Sequence, residues 1–171
     1  MKPFLTTKRL IIAAPSLHDF KNLYILQSNA EVMNFIGNGV RNENEVRIGL
    51  EKAINHFQKH HFSLGSLYCR KSDEFIGRAG LIYFNYDAHQ LEVEVAYALL
   101  PHYWGMGFAT EITASLIQFA FQNLKLPKLI ALVHPENISS QKVLIKCGMH
   151  NVGRIEHWNK KIIKFELINK S

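Results

Sequence analysis

A short glycine-containing segment in the middle of the chain has the residue types of an anion-binding turn. Gly105 and Gly107 permit a tight backbone path whose N–H groups point outward. A helix is expected to begin directly after them, so its positive dipole end lies at the same point. Backbone amides at a helix N-terminus bind phosphate without any basic side chain. The segment therefore predicts a phosphate site, although a strand-to-helix turn without a ligand would contain the same two glycines.

The segment before this turn, residues 91–100, predicts a strand with two different faces. One face is apolar and suited to a core, and carries Leu91, Val93, Val95, Tyr97 and Leu99. The other has two carboxylates followed by small or apolar side chains, and carries Glu92, Glu94, Ala96, Ala98 and Leu100. Glu94 lies roughly 20 Å from Leu100 at ~3.3 Å per residue. A long ligand with phosphates at the turn would bring its other end near Glu94, whereas both glutamates also suit a solvated strand face.

A third set of polar residues, at 137–140, is predicted to open a later helix. Asn137 is a favourable N-cap residue, and Ser140 lies where it completes hydrogen bonds of the first turn. The capping role is compatible with a chemical one. An amide and a hydroxyl at the edge of a sheet also bind a polar ligand or protonate a leaving thiolate.

The elements that must position these residues follow the hydrophobic pattern of the chain. A strand over 9–14 precedes a helix capped by Ser16, and a helix over 43–60 follows a loop at 35–39. The remaining pattern predicts strands over 62–69, 75–85 and 91–100, a helix over 109–123, a strand over 128–134, a helix over 138–146, and strands over 149–157 and 161–168. This order predicts an α/β architecture, a mixed sheet covered by helices.

The amino-acid composition of the chain argues against several classes of protein. The 171 residues, 47% hydrophobic and 20% charged, predict a single globular domain over residues 1–171. No apolar run approaches the ~20 residues of a membrane span, and no apolar leader segment is present, so we expect a cytoplasmic protein without a membrane partner. The net charge of +6 is dispersed along the chain, which argues against a nucleic-acid partner.

Residues that often bind metals or act as nucleophiles lack the necessary spacing. Cys69 and Cys147 form neither a disulfide framework nor a zinc-ligand pattern, and we expect no metal site. Cys147 lies near the end of a helix rather than at its activating N-terminus, which favours a buried residue over an acyl carrier. His56 and His60 share a helix face, but no third ligand accompanies them, so both are predicted to be solvated.

Three segments, in this order, resemble the GNAT superfamily of acyl-CoA N-acyltransferases, and most of all its RimJ/RimL-like branch. Residues 7–11 resemble the opening strand of the branch, residues 99–111 its CoA-binding motif, and residues 137–149 its second motif. The motif Gln/Arg-x-x-Gly-x-Gly/Ala falls on residues 104–109. Trp104 replaces the usual Gln or Arg, as is common in this branch, and backbone amides would still bind the phosphates.

The resemblance implies the GNAT fold, a mixed and mostly antiparallel sheet of six to seven strands with about four flanking helices, splayed at the central parallel pair. It also implies acetyl-CoA as acyl donor. The residues implied to bind it are Leu99, Leu100, Gly105, Met106, Gly107, Phe108, Ala109, Thr110 and Asn137. Pantetheine would pair with the backbone near Leu99 and Leu100 like an added strand.

The activity implied is acetyl transfer to a primary amine in a ternary complex, with Glu94 as general base directly or through a water. Many members carry a tyrosine as general acid where this chain has Leu144, so Ser140 is the candidate acid and water the alternative. The acceptor is a small amine or a protein N-terminal α-amine. Glu92, Glu94 and Asp87 are consistent with an acidic mouth that attracts a cation. The alternative hypothesis is a non-catalytic regulatory module that binds acyl-CoA. The sequence is compatible with both a monomer and a homodimer.

Overall fold

The computed structural model describes residues 2–170. Within that range a sheet of eight strands has the order β1-β2-β3-β4-β5-β6-β8-β7. The strands are β1 Pro3–Thr6, β2 Leu10–Ala13, β3 Leu64–Cys69, β4 Phe75–Tyr83, β5 Val93–Leu99, β6 Lys128–Val133, β7 His150–His157 and β8 Lys160–Ile168. The helices are α1 Phe20–Gln27, α2 Ala30–Met33, α3 Glu43–His60, α4 Phe108–Gln122 and α5 Ile138–Lys146. Short 3-10 turns occupy Leu17–Asp19, Phe84–Tyr86 and Pro101–Tyr103.

Helices cover both faces of this sheet. On one face the apolar side of α4, including Ile112 and Leu116, packs with strand residues such as Leu129 and Phe165 in the largest buried cluster. On the other face Leu26 of α1 and the α2 residues pack over Ala98 of β5. Alternate residues of β5 therefore contact different helical layers, as the period of a strand requires.

The central parallel pair, β5 and β6, separates after a single residue pair. Glu94 is the β5 residue that pairs with β6, opposite Ile130. On its other side β5 stays paired with β4 along its whole length, up to Leu99 opposite Gly77. The ends of β5 and β6 beyond this point consequently diverge and leave an opening in the sheet. The predicted α/β fold and its splayed parallel pair are confirmed.

The number of elements differs from the sequence prediction. Eight strands and five α-helices are present in residues 2–170, against the expected six to seven strands and about four helices. The strand β1 was missed because it is a four-residue edge strand that begins at a proline. The helix α2 is a single turn capped by Asn29, too short to show a helical period.

The strand β5 begins later than predicted, and this changes the position of two residues. Leu91 was placed in the core, but 87% of its surface is exposed. The reason is a loop closed by Gln90, whose side-chain amide donates to the carbonyl oxygens of Phe84, Asp87 and Glu92 at 3.3, 2.7 and 2.9 Å. Residues 91 and 92 therefore belong to this loop.

The prediction that His56 is solvated is wrong. The side chain is buried, its Nδ1 lies 2.7 Å from the carbonyl oxygen of Phe62, and its Nε2 accepts from the Tyr83 N–H at 3.2 Å. Burial is the main reason that the pKa of His56 is lowered. A neutral ring with Nδ1–H donating satisfies both contacts. His56 thus joins the end of α3 to the end of β4.

Candidate functional site

The glycine turn lies between β5 and α4, where the sequence predicts it. Gly105 and Gly107 have φ values of 73° and 77°, a left-handed conformation that favours glycine. The first hydrogen bond of α4 runs from the Glu111 N–H to the Gly107 carbonyl at 3.1 Å. The backbone amides from Gly105 to Thr110 donate to no acceptor within residues 2–170. A run of free donors thus faces solvent at the positive end of a fifteen-residue helix.

A cluster of polar contacts, which the sequence did not predict, joins this turn to the segment before β2. Glu111 accepts hydrogen bonds from the Thr7 hydroxyl at 2.6 Å and from the Arg9 N–H at 2.8 Å, and it pairs with the Arg9 guanidinium. Arg9 also donates to the Met106 carbonyl at 2.9 Å and lies over the Phe108 ring. Partial burial acts to raise the pKa of Glu111, but these hydrogen bonds hold it below its usual value. The segment before β2 is thereby fixed to the turn.

The opening beside β5 exposes only some of the expected backbone groups. The Leu100 N–H donates to the Ile76 carbonyl at 2.9 Å and its own carbonyl accepts from the Tyr103 N–H at 3.0 Å, so both backbone groups of Leu100 already have a partner within the chain. Because peptide groups alternate sides along a strand, those of Leu99 and Tyr97 point toward β6. Trp104 donates its indole N–H to the Leu99 carbonyl at 2.8 Å. The Leu99 N–H and the Tyr97 peptide groups remain on the open side.

The start of α5 brings a hydroxyl pair to the same opening. The Asn137 side chain accepts from the Ser140 N–H at 3.1 Å, which confirms its capping role. The Ser140 hydroxyl lies 2.8 Å from the phenol oxygen of Tyr97. Burial raises the pKa of Tyr97 to about 12, with the Ser140 hydrogen bond acting against it. Tyr97 was predicted as a core residue, and its partner on α5, 43 residues away, could not be inferred from local pattern.

Glu94 lies on the opposite face of β5 from Tyr97. The residue is 9% exposed, and its carboxyl group forms no hydrogen bond or ion pair with any residue of the described range 2–170. Burial raises the pKa of Glu94 to about 7, and the nearby charge of Arg78 acts in the other direction. A carboxyl group that titrates near neutral pH is suited to accept a proton from a substrate.

The predicted acidic mouth is wrong, because the charges around Glu94 are cationic. Glu92 is paired with Lys164 at 2.7 Å and with Lys128 at 2.9 Å, outside the strand. Burial acts to raise the pKa of Glu92, but these two lysines hold it below its usual value. Asp87 is exposed and accepts from a backbone N–H of its own turn. Glu94 is the buried carboxylate of this group.

Three further observations concern metal binding, membrane spanning and covalent catalysis. In residues 2–170 no three His, Cys, Asp or Glu side chains converge as metal ligands would. None of the helices in that range is long and apolar enough to cross a membrane. Burial raises the pKa of the Cys147 thiol, which disfavours the thiolate that an acyl carrier needs.

Comparisons with known proteins agree with this geometry. A family model described as acetyltransferase (GNAT) domain matches residues 9–150. The uncharacterized N-acetyltransferase YnaD of Bacillus subtilis (strain 168) is 28% identical over 149 residues, which cover 87% of this chain and 84% of that protein. A GNAT-family acetyltransferase structure from Bacillus anthracis has a TM-score of 0.82 at 21% identity, covering 98% and 99% of the two chains. RimL, a ribosomal L7/L12 α-N-protein acetyltransferase in complex with coenzyme A, has a TM-score of 0.81 at 13% identity, with 98% of both chains covered.

Proposed function

The chain belongs to the GNAT family of acetyltransferases and is an enzyme of that kind, and from this premise we propose that it transfers the acetyl group of acetyl-CoA to a primary amine. The observation that carries the proposal is the run of unbonded amides from Gly105 to Thr110 at the N-terminus of α4. Such donors fit a pyrophosphate. The RimL relative in complex with coenzyme A supports the same donor and makes a protein N-terminal α-amine one acceptor to test.

The donor would lie along the opening between β5 and β6. Its pyrophosphate meets the turn amides, and its pantetheine arm pairs with the Leu99 N–H and the Tyr97 peptide groups as an added strand. The Asn137 side chain uses its oxygen for the cap, which leaves its NH₂ group to donate to the arm. The thioester then lies near the point where the two strands meet, beside Glu94 and Ile130.

Glu94 serves as the general base in this proposal. The acceptor ammonium gives a proton to the Glu94 carboxylate, directly or through a water, and the free amine attacks the thioester carbonyl carbon. The new C–N bond forms, the C–S bond breaks, and the electron pair of that bond leaves on sulfur. The attacking nitrogen releases its second proton to water, which leaves the neutral amide. A pKa of about 7 provides both a useful fraction of carboxylate and enough basicity at neutral pH.

Ser140 and Tyr97 supply the proton that the departing thiolate needs. The Ser140 hydroxyl donates its proton to sulfur while it accepts the proton of the Tyr97 phenol, 2.8 Å away, and Tyr97 then regains a proton from water. Because Leu144 is a buried core residue of α5, no hydroxyl comes from the position where many GNAT members have a tyrosine. The hydrogen-bonded pair takes that role from the neighbouring strand.

Acetyl-CoA consumption with a panel of amines tests the proposal. We expect acceptor-dependent release of free thiol, and a Glu94→Gln variant with at least a 10²-fold lower kcat/KM that no longer rises through pH 7. Glu156→Gln, an exposed carboxylate on β7, is the matched control and should keep wild-type activity. Tight CoA binding with no thiol release on any amine would instead identify the non-catalytic module. Full activity of Glu94→Gln across pH 6 to 9 would remove Glu94 as the base.

A further inference from the structure

One face of the β4–β5 pair carries both Arg78 and Glu94. Three residue pairs lie along this face: Arg78 opposite Ala98, Gly80 opposite Ala96, and Ile82 opposite Glu94. The middle pair has almost no side chain, and Ala96 remains partly exposed although it lies on a central strand. The positions of Arg78 and Glu94 are four residues apart along the strands, or ~13 Å at 3.3 Å per residue. This face therefore has an arginine at one end and a carboxyl group at the other.

The Arg78 side chain forms no hydrogen bond and no ion pair with any of residues 2–170. The Glu94 carboxylate acts on the Arg78 charge only from beyond ion-pair distance. Burial, together with the charge of Arg41, lowers the pKa of Arg78 to about 10, so it stays cationic at neutral pH. Asp19 and Arg78 both line one small cavity, but the Asp19 carboxylate accepts hydrogen bonds from Ser16 and Tyr68. A half-buried guanidinium that has no hydrogen-bonded anion is costly, and an anionic ligand in contact with it would remove that cost.

A second guanidinium is held beside the first. Arg41 donates through Nη1 to the side-chain oxygen of Gln27 at 3.0 Å and through its backbone N–H to the Gln27 carbonyl at 2.8 Å. Gln27 is itself buried, 2% exposed. Arg41 also has no carboxylate partner within residues 2–170. Two like charges fixed close together favour an anion between them.

A tyrosine with a strained backbone lies in the β4–β5 connection. Asn85 and Tyr86 both have φ of 57°, a left-handed conformation that is unusual for a bulky residue such as tyrosine. Burial raises the pKa of Tyr86, with Arg78 and Arg41 acting against it and Glu94 acting in the same direction. The phenol thus lies among the two arginines and Glu94. Strain of this kind persists where a ligand site depends on it.

We infer that the acceptor is an amine that also carries a carboxylate, with the carboxylate bound by Arg78 and Arg41 and the amine directed to Glu94. The inference rests on the proposed acetyl transfer and names its substrate class. Guanidinium groups bind a carboxylate through paired hydrogen bonds, and the Gly80–Ala96 pair, which adds almost no side chain, lies between the positions of Arg78 and Glu94. Free amino acids and peptides with an acidic first residue both have this chemistry.

Matched acceptors test the inference on the intact enzyme. kcat/KM is measured for a set of free amino acids, for the same amino acids as C-terminal amides, and for peptides that begin with Asp or with Asn. The wild-type enzyme should prefer the carboxylate member of each pair by about 10- to 100-fold, chiefly through KM. The amino-acid pairs and the peptide pairs distinguish the two sources of the carboxylate.

Variants then assign the preference to the arginines. Arg78→Gln should reduce the carboxylate preference at least 10-fold while activity on the amides is kept, and Arg78→Lys should restore part of it. Arg154→Gln, an exposed arginine on β7, is the matched control and should leave the preference unchanged. Equal rates on acids and amides, or a preference that survives Arg78→Gln, would overturn the inference while acetyl transfer itself stands. Absence of transfer to every amine would instead refute the proposed function.

Discussion

Replacement of Glu94 by glutamine should stabilise the protein at alkaline pH, because the carboxylate is costly where it lies. Its pKa is about 7 in the folded chain against 4.5 as the ordinary value. The folded state therefore binds more protons than the unfolded state between these values, and wild-type stability falls as pH rises through 7. The full effect is about 3 kcal/mol, of which about 2 to 3 kcal/mol develops between pH 5 and pH 8. Glutamine keeps the shape of the protonated acid and removes the titration.

Urea unfolding of both proteins at pH 5, 6, 7 and 8 measures this effect. The free energy of unfolding of Glu94→Gln minus that of wild type should increase by about 2 to 3 kcal/mol across the series. Glu92→Gln is the control, because the pKa of Glu92 is shifted in the opposite direction. The two lysine pairs lower that pKa, so the contribution of Glu92 to the free energy of unfolding is lost only at more acidic pH. Its difference from wild type should stay nearly constant from pH 5 to pH 8. A flat profile for Glu94→Gln would show that Glu94 has an ordinary pKa, and the argument for its role as base would fail with it.

Three further predictions concern the donor side of the site. Gly107→Ala places an L side chain at φ 77°, at a cost of ~1–2 kcal/mol. This variant should bind CoA about 10-fold more weakly, as measured by calorimetry. Gly148→Ala is equally strained at φ 86° but lies outside the turn, so it should lose stability and keep its affinity for CoA. Ser140→Ala and Tyr97→Phe should each lower kcat more than 10-fold at unchanged KM, and a double variant no worse than either single one would show that the pair acts as a unit. Glu111→Gln should lower the free energy of unfolding by about 1–3 kcal/mol and should also weaken CoA binding. Retention of wild-type CoA affinity would contradict a supporting role for this residue.

The positions of those site features that depend on residues close together in the sequence were predicted correctly. Two glycines between an apolar strand and an amphipathic helix specify the turn, because left-handed φ values are accessible to glycine at little cost. Asn137 was recognised as a cap because capping depends on residues three positions apart. Alternation along β5 placed Glu94 and Tyr97 on different faces, which the packing of Ala98 and Val95 against separate clusters bears out.

The parts that depend on distant segments could not be predicted in this way. The contact of Arg9 with Glu111 spans 102 residues, and no local period relates them. Arg78 lies within a strand whose sequence gives no sign that its side chain forms no hydrogen bond or ion pair in the described range 2–170. Glu92 and Glu94 look equivalent in the sequence, yet the late start of β5 and two lysines from neighbouring strands leave one paired and the other buried.

The two faces of β5 determine how the proposed chemistry is arranged. Glu94 is on the face covered by α1 to α3, and the Tyr97–Ser140 pair is on the face that packs against α5. A base and an acid on opposite sides of a closed sheet could not act on one carbonyl carbon. The divergence of β5 from β6 immediately after the pairing of Glu94 with Ile130 removes that obstacle, since the thioester can lie within the plane of the sheet. Amine attack from one face and thiolate departure toward the other then require no movement of either strand.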